Sequence, residues 1–421
     1  MRILFFSHYF HPEGNAPATR VYELTRRWAK AGHDVTVITG VPNVPNGVAY
    51  EGYRNRLSQT EELDGVRVRR VWTWLAANRG TVRRTANFLS YMVSASLAGL
   101  GGKRPDVVIA TSPQFFCGWA GLIVSRLRRL PFVLEIRDIW PASIQAVEAI
   151  GSGRVIRLLE AMERRMYAGA RHVVTVGDGY RRELEQRGVP AERITVIPNG
   201  VDRAAFAPRA PDPEWKKRLG VDGRFVCAYV GTIGMACGLD VVIRAARRLR
   251  DSGRGDIAFL LVGDGAVRGD LERQARAEGL ANVIFTGRMD KESIPAVLGS
   301  SDACLVHLKR APLFETVLPS KIFEAAAMAK PVVLGVRGEA ARLVREAGAG
   351  ICIEPEDDAQ LAAAVEQLAA DPAQCRALGE AGLRTIVPRF DYENLAGEYL
   401  ALLGRVLAPA SAGAGGARRD E

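Results

Sequence analysis

The sequence predicts an α/β protein built from two doubly wound domains. Three observations carry this. Short apolar runs alternate with segments of 3.6-residue apolar period, the signature of parallel strands joined by helical crossovers. The alternation runs from Arg2 to Ile197, pauses at a proline-rich stretch, and restarts at Arg224. The length, 421 residues, suits two domains of ordinary size.

In the first half, Arg2–Ser7 reads as a strand, and the loop HYFHPEGNAP leads into a helix from Ala18 to Ala31 closed by Gly32. Asp34–Thr39 is the next strand, which completes a right-handed crossover. Val41–Asp64 is polar and reads as a long loop before the strand Val66–Trp72. Asp106–Thr111, Pro131–Ile136, His172–Val176 and Arg193–Ile197 are further strands, with helices over Gln114–Arg129 and Arg154–Ala168. Pro198-Asn199-Gly200-Val201-Asp202 is a turn, and the chain to Pro213 reads as loop.

The second half repeats the scheme. Strands fall at Arg224–Val230, Asp256–Val262, Val283–Thr286, Ala303–His307, Val332–Leu334 and Gly350–Ile353. Helices fall at Leu239–Arg250, Val267–Glu278, Glu339–Ala347 and Ala359–Ala370, with helical segments at Pro372–Ile386 and Tyr392–Val406. The predicted organisation is a domain over 1–200, a linker over 201–213, a second domain over 214–388, and a C-terminal helix over 389–408 packing back on the first domain. A disordered Ala/Gly-rich tail would occupy 409–421. Doubly wound sheets bind ligands at the carboxyl ends of their strands, so the expected site is a cleft between the domains.

Composition narrows the function classes. Apolar residues make up 48% and charged residues 25%, as in a globular protein. Six cysteines lie scattered with no C-x-x-C, which argues against a zinc site or disulfide framework. No apolar run reaches the ~18 residues of a membrane span. Met1-Arg2 opens directly into a strand, so no signal peptide is read and a cytoplasmic location is expected. The net charge of +10 favours phosphates or an anionic surface, but no aromatic-interleaved basic stripe suggests nucleic acid. Phe88–Leu100 is apolar and small, between Arg83-Arg84 and Lys103-Arg104. It reads as a core helix or as a segment lying on the inner membrane surface.

The most informative stretch is Phe314–Val333, FETVLPSKIFEAAAMAKPVV. Pro319 and Ser320 can open a helix, with Ser320 as its cap, and Lys330-Pro331 stop it. Lys321 and Glu324 share one helix face. Lys321 could meet a phosphate near the helix N-terminus, and Glu324 could accept two hydrogen bonds from a ribose diol. The spacing equally allows an ordinary surface ion pair.

Elsewhere, Gly14 and Asn15 lie in the first strand-to-helix loop without a full G-x-G-x-x-G, with Arg20 on the helix beyond. His8 and His11 lack a third ligand, so no metal site is assigned. No Asp-x-Asp occurs to hold a cation against a diphosphate. Glu135-Ile136-Arg137-Asp138-Ile139-Trp140-Pro141 follows a buried strand, and Asp138 could bond a sugar hydroxyl or cap the next turn. Gly231-Thr232-Ile233-Gly234, Gly263-Asp264-Gly265 and Gly287-Arg288-Met289 each follow a strand, where glycine also marks an ordinary turn.

These stretches together resemble the family 4 glycosyltransferases of the GT-B fold, over nearly the whole chain from Arg2 to about Leu407. Two Rossmann-like domains facing a central cleft are what the resemblance implies. In the family two glutamates flank the loop and helix with seven residues between them. Here Glu315 and Glu324 have eight between them, 316–323, so Thr316 occupies the first position and Glu324 the second, which holds the nucleotide ribose. Whether Glu315 or Thr316 does the first glutamate's work stays open. Leu318–Lys321 and Arg137-Asp138-Ile139-Trp140-Pro141 resemble the subgroup that builds bacterial surface polysaccharides of the colanic acid or O-antigen type.

The resemblance implies a retaining, metal-independent transferase with no resident cofactor. It would move a sugar from a nucleotide diphosphate, UDP above all, to a lipid-linked or oligosaccharide acceptor. Glu315, Thr316, Lys321 and Asp138 would be catalytic. Gly14, Asn15, Thr232, Gly263, Arg288, Met289, Ser320 and Glu324 would hold the donor. Relatives carry Arg and Lys in the Gly231 loop; here Thr232 and Cys237 stand at those places, which leaves the diphosphate to Lys321, with Lys309 or Arg310 in reserve. A GT-B epimerase and a non-catalytic nucleotide-sugar-binding protein are the alternatives.

Overall fold

The computed structural model describes residues 1–44, 46–76, 81–112, 114–139 and 153–408. The Trp140-Pro141 pair and the expected disordered tail lie outside them. The chain forms two compact units. One comprises Met1–Val176, Tyr180–Ile197 and the chain from Ala396 onward; the other comprises Gly177–Gly179 and Pro198–Leu395. The sequence break thus falls at Ile197/Pro198.

The first unit is an eight-stranded sheet of order β3-β4-β2-β1-β5-β6-β7-β8. Its strands are β1 Arg2–Phe6, β2 Asp34–Thr39, β3 Ser58–Leu63, β4 Val66–Val71, β5 Val107–Thr111, β6 Phe132–Ile136, β7 His172–Thr175 and β8 Ile194–Val196. All neighbours run parallel except β3 against β4. The central strands β5 and β6 are buried at every residue, as a sheet covered on both faces requires.

Helix α1 spans Ala16–Lys30, α2 Thr81–Leu100 and α3 Phe115–Arg128. On α1, Trp28 is wholly buried and donates its indole N–H to the Ala396 carbonyl at 3.1 Å. Its ring meets Tyr399 of the C-terminal helix Tyr392–Leu407 at 5.1 Å. The returning helix therefore completes this unit's core with an amphipathic aromatic pair.

The second unit is a six-stranded parallel sheet of order β11-β10-β9-β12-β13-β14. Its strands are β9 Phe225–Val230, β10 Ile257–Val262, β11 Val283–Gly287, β12 Ala303–His307, β13 Val332–Gly335 and β14 Gly350–Cys352. The strand β10 is buried throughout and pairs in register with β9 from Ile257↔Phe225.

Three expectations are corrected. The segment read as a long loop, Val41–Asp64, contains β3. Its sequence SQTEEL is polar on both faces because it is an edge strand, so it shows no apolar alternation. Pairing and charge hold it instead: Arg70 meets Glu61 at 2.6 Å, diagonally, two residues from their direct partners. Where the expected linker meets the second domain, Pro213–Arg218 is a helix that the sequence reading did not include. Asp212 caps it through the Glu214 amide at 3.0 Å, with Pro213 in the first turn. The first helix begins at Ala16 rather than Ala18, because Asn15 is its cap and accepts from the Ala18 amide at 2.9 Å.

Candidate functional site

In the second unit the chain starts at β9, moves outward to β10 and β11, then returns to the other side of β9 for β12. The crevice at the carboxyl ends of β9 and β12 is therefore the topological switch point, where such sheets bind ligands.

Three glycines stand along that edge at the ends of adjacent strands. Gly231, Gly263 and Gly287 have φ of 139°, 140° and 76°. A Cβ on Gly263 would come 1.9 Å from the Gly231 carbonyl oxygen, so only glycine lets these turns meet backbone to backbone. Hydrogen bonds join them: the Gly231 amide donates to Val262 at 2.8 Å, and the Gly263 amide to Gly287 at 2.9 Å.

Lys321 lies over this floor. A Cβ on Gly231 would sit 2.6 Å from its Nζ, which stands 5.3 Å from the centre of the Tyr229 ring. Among the described residues no carboxylate lies within ion-pair distance of Lys321. A cation on an aromatic platform with no direct salt bridge is suited to an anion. One turn on, Glu324 is half-buried, and desolvation raises its carboxyl pKa while Lys321 and Lys291 pull it down.

The helix that carries both, Lys321–Ala327, does not use Ser320 as a side-chain cap. Ser320 is itself helical, φ −59° and ψ −22°, whereas a capping side chain needs an extended backbone at that position. The Ile322 and Phe323 amides already bond to the Pro319 and Ser320 carbonyls at 3.1 and 2.9 Å. The Ser320 and Lys321 amides make no backbone hydrogen bond among the described residues.

Glu315 and Thr316 lie in the short turn Pro312–Thr316. Thr316 turns its hydroxyl back to the Leu313 carbonyl at 3.3 Å, whereas the Glu315 side chain is exposed. Gly338 packs onto the Glu315 backbone so closely that a Cβ would come 2.0 Å from its carbonyl oxygen. Arg288 is exposed beside Gly287, and Met289 packs, half-buried, against the apolar cluster that includes Leu260 and Val262. Thr232 is exposed, and its carbonyl accepts from the Tyr229 hydroxyl at 2.7 Å. Of the reserve cations, Arg310 sets its guanidinium 3.9 Å from Glu354 and donates its backbone amide to Glu356 at 3.0 Å, while Lys309 packs by Gly238.

In the first unit the switch point lies between β1 and β5. Gly14 is exposed, has no left-handed φ and has open space at its Cβ position, so nothing in the chain demands glycine there. Asn15 is occupied as the α1 cap. Arg20, on the helix after this loop, is fully buried. It bonds to Glu135 at 3.0 Å and to the Ile197 carbonyl at 2.8 Å. Burial would push the Glu135 pKa up, but Arg20 and Arg137 outweigh it and hold the carboxylate charged. Asp138 follows β6, half-buried, and lines a small cavity with Ser112, Gln114 and Tyr167. His8 is buried among Tyr9, Phe88 and Tyr91, while His11 stacks on Tyr22, so the two histidines serve different packings.

Residues 15–200 match the family description Glycosyl transferase 4-like domain, and residues 211–385 match Glycosyl transferases group 1. The 2-deoxystreptamine glucosyltransferase of Streptomyces kanamyceticus is 30% identical over 301 residues, 70% of this chain and 76% of that protein. The chain belongs to the family 4 glycosyltransferases. This glycosyltransferase is also 28% identical over 411 residues to WcaI of Escherichia coli (strain K12), described as a colanic acid biosynthesis glycosyl transferase, covering 95% of this chain and 99% of that one.

Solved structures give the glycosyltransferase its GT-B fold. Sucrose-phosphate synthase from Thermosynechococcus elongatus superposes with a TM-score of 0.71 at 20% identity, covering 97% of this chain and all of that one. Anabaena Alr3699/HepE with UDP-glucose gives 0.71 at 19% identity, covering 96% of this chain.

Sequence reasoning missed three residues beside the switch point of this glycosyltransferase. Lys291 acts on Glu324 from the start of another turn. Arg268 lays its guanidinium over Gly287, where a Cβ would come 3.3 Å from a terminal nitrogen. His307 ends β12, accepts from the Glu356 amide at 2.9 Å, and so donates its Nδ1–H to the Cys237 carbonyl at 2.7 Å. It pins the turn after Gly231. No local spacing marks any of the three; only the strand order brings them to one edge.

Proposed function

We propose that this glycosyltransferase moves a sugar from a nucleotide diphosphate, UDP first, to a lipid-linked glycan during surface-polysaccharide synthesis, with retention and without a metal ion. The observation that carries the reading is Lys321. Its ammonium lies on the Gly231 floor at the switch point, without a direct salt bridge among the described residues and three residues from Glu324, on which its charge acts. UDP-glucose in the Anabaena structure and the colanic acid description of the Escherichia coli relative support the donor and the glycan class. GDP-mannose is the named donor of a Mycolicibacterium smegmatis relative and is the competing nucleotide.

The chemistry needs negative charge stabilised as the donor breaks. The bond from sugar C1 to the diphosphate oxygen cleaves, and positive charge grows on the ring. The acceptor hydroxyl bonds to C1 from the same face, and its proton passes to the departing diphosphate. Lys321 offsets the charge on that leaving group, together with the Ser320 and Lys321 amides. Glu324 takes the ribose hydroxyls, and Glu315 is assigned a sugar hydroxyl. Asp138 retains the role of hydroxyl acceptor in the first unit. Thr232, Gly263, Arg288 and Met289 are assigned to the nucleotide.

Calorimetric titration with UDP and GDP, on the wild type, Glu324→Ala and Lys321→Ala, tests the reading. Glu324→Ala should weaken UDP by about ten- to a hundredfold, the range of a charged hydrogen-bond pair. Lys321→Ala should slow turnover more than it weakens binding. Unchanged UDP affinity in Glu324→Ala removes the ribose assignment. UDP released without acceptor at the full rate would favour the epimerase, and activity abolished by a chelator would refute metal independence.

A further inference from the structure

Helix α2 buries one face and leaves the other both apolar and open. Tyr91 and Ala95 are fully buried, and Gly99 is held so close that a Cβ would meet the Phe6 ring at 2.6 Å. On the opposite side Leu89, Val93, Leu97 and Leu100 are 39%, 55%, 67% and 40% exposed. Steps of four, four and three residues put these on one stripe, along a 20-residue helix that is about 30 Å long.

Two independent features frame the stripe. The first is charge of a single sign. Arg83 and Arg84 open the helix, Lys103 and Arg104 follow it, and no Asp or Glu lies between 81 and 104. Arg128 and Arg69 add cations at its C-terminal end by bonding the Gly99 carbonyl at 2.9 Å and the Ala98 carbonyl at 2.8 Å. The second is Trp74, 56% exposed and fixed beside the helix. Its amide donates to the Ser90 hydroxyl at 2.8 Å, and its carbonyl accepts from the Asn87 side chain at 2.7 Å. An exposed Trp beside an apolar stripe with cations at both ends is the composition of a helix lying in a lipid interface. A second copy packed through this face would set like charges against one another, which disfavours self-association. Among the described residues no helix is long and apolar enough to cross a membrane, so the contact is a surface one.

We propose that the outer face of α2, with Trp74, lies on an anionic lipid surface. The contact holds this unit in the plane where a lipid-linked acceptor would be found. That use rests on the function proposed above; the contact itself does not.

Flotation of the full chain with vesicles, without nucleotide, tests the contact apart from the transfer reaction. The wild type should float with equimolar phosphatidylcholine and phosphatidylglycerol and much less with phosphatidylcholine alone, and added salt should release it. V93Q/L97Q and R83Q/K103Q should each lower the partition coefficient about tenfold or more, while melting temperature and UDP affinity stay unchanged. Tryptophan emission should shift to the blue on vesicle binding, and W74F should lose most of that shift. Wild type that fails to float, equal binding to neutral vesicles, or V93Q/L97Q binding like wild type overturns the proposal. So does a lipid-free dimer that V93Q/L97Q dissociates, because the face would then belong to a second copy.

Discussion

The position of Lys321 rests on one missing side chain, and Gly231→Ala tests it. The new methyl would come 2.6 Å from Nζ and 2.7 Å from Cε of Lys321, so the ammonium must leave the place it holds over Tyr229. The backbone adds strain, because φ of 139° is glycine territory and costs about 1–3 kcal/mol for alanine. The ammonium can yield without unfolding anything, since it ends a flexible side chain. The expected result is a stability loss of about 1–3 kcal/mol by denaturant titration, with UDP binding weakened by about ten- to a hundredfold. The double variant is the informative one. If the glycine acts by making room for Lys321, Gly231→Ala/Lys321→Ala should bind UDP no worse than Lys321→Ala alone, a strongly non-additive cycle. Losses that simply add would refute the reasoning, and so would a single Gly231→Ala variant that binds UDP normally.

Three further outcomes follow from the same geometry. Gly263→Ala should prevent soluble folding of the second unit, because its methyl would overlap the Gly231 carbonyl at 1.9 Å and neither backbone can yield; a folded variant with wild-type melting would contradict this. His8 has its pKa lowered to about 4 by burial, with Asn87 opposing, so its contribution is full above the unfolded value near 6.5 and is lost as pH falls toward 4, by about 3 kcal/mol. His8→Phe should flatten that part of the stability–pH curve, read by chemical denaturation between pH 4 and pH 7. Arg20→Met should leave Glu135 charged and buried without its main partner, destabilising the first unit by about 3–5 kcal/mol, whereas Arg20→Met/Glu135→Gln should recover much of the loss.

The fold was legible wherever burial was complete. Strands such as β5, VVIAT, and β10, IAFLLV, are covered on both faces, so their sequences are unbroken apolar runs. β3 was not legible, because SQTEEL owes its place to β4 and to Arg70, both of which act through partners that local sequence does not display. The Pro213–Arg218 helix was legible in principle. Asp212 and Pro213 are a start signal that the surrounding prolines obscured.

The site divides along the same line. Lys321 and Glu324 could be found because helical spacing alone puts them on one face. Arg20 shows the opposite case: it follows the Gly14 loop in sequence, yet its guanidinium is spent on Glu135 and the Ile197 carbonyl. What separates the two cations is direct contact with a fully buried carboxylate, which strand order rather than sequence neighbourhood gives to Arg20. The same holds for Gly231, Gly263 and Gly287. Singly each reads as a turn, and the sheet order β11-β10-β9 makes them one continuous surface. At Gly263 the neighbouring backbone forbids a side chain, and at Gly231 the Lys321 ammonium does. An edge of glycines on three adjacent strands, with the Lys321 ammonium over Gly231 and the Arg268 guanidinium over Gly287, brings positive charge to where an anion can approach main-chain atoms. That conjunction, more than any single motif, is why the donor diphosphate is assigned to this edge.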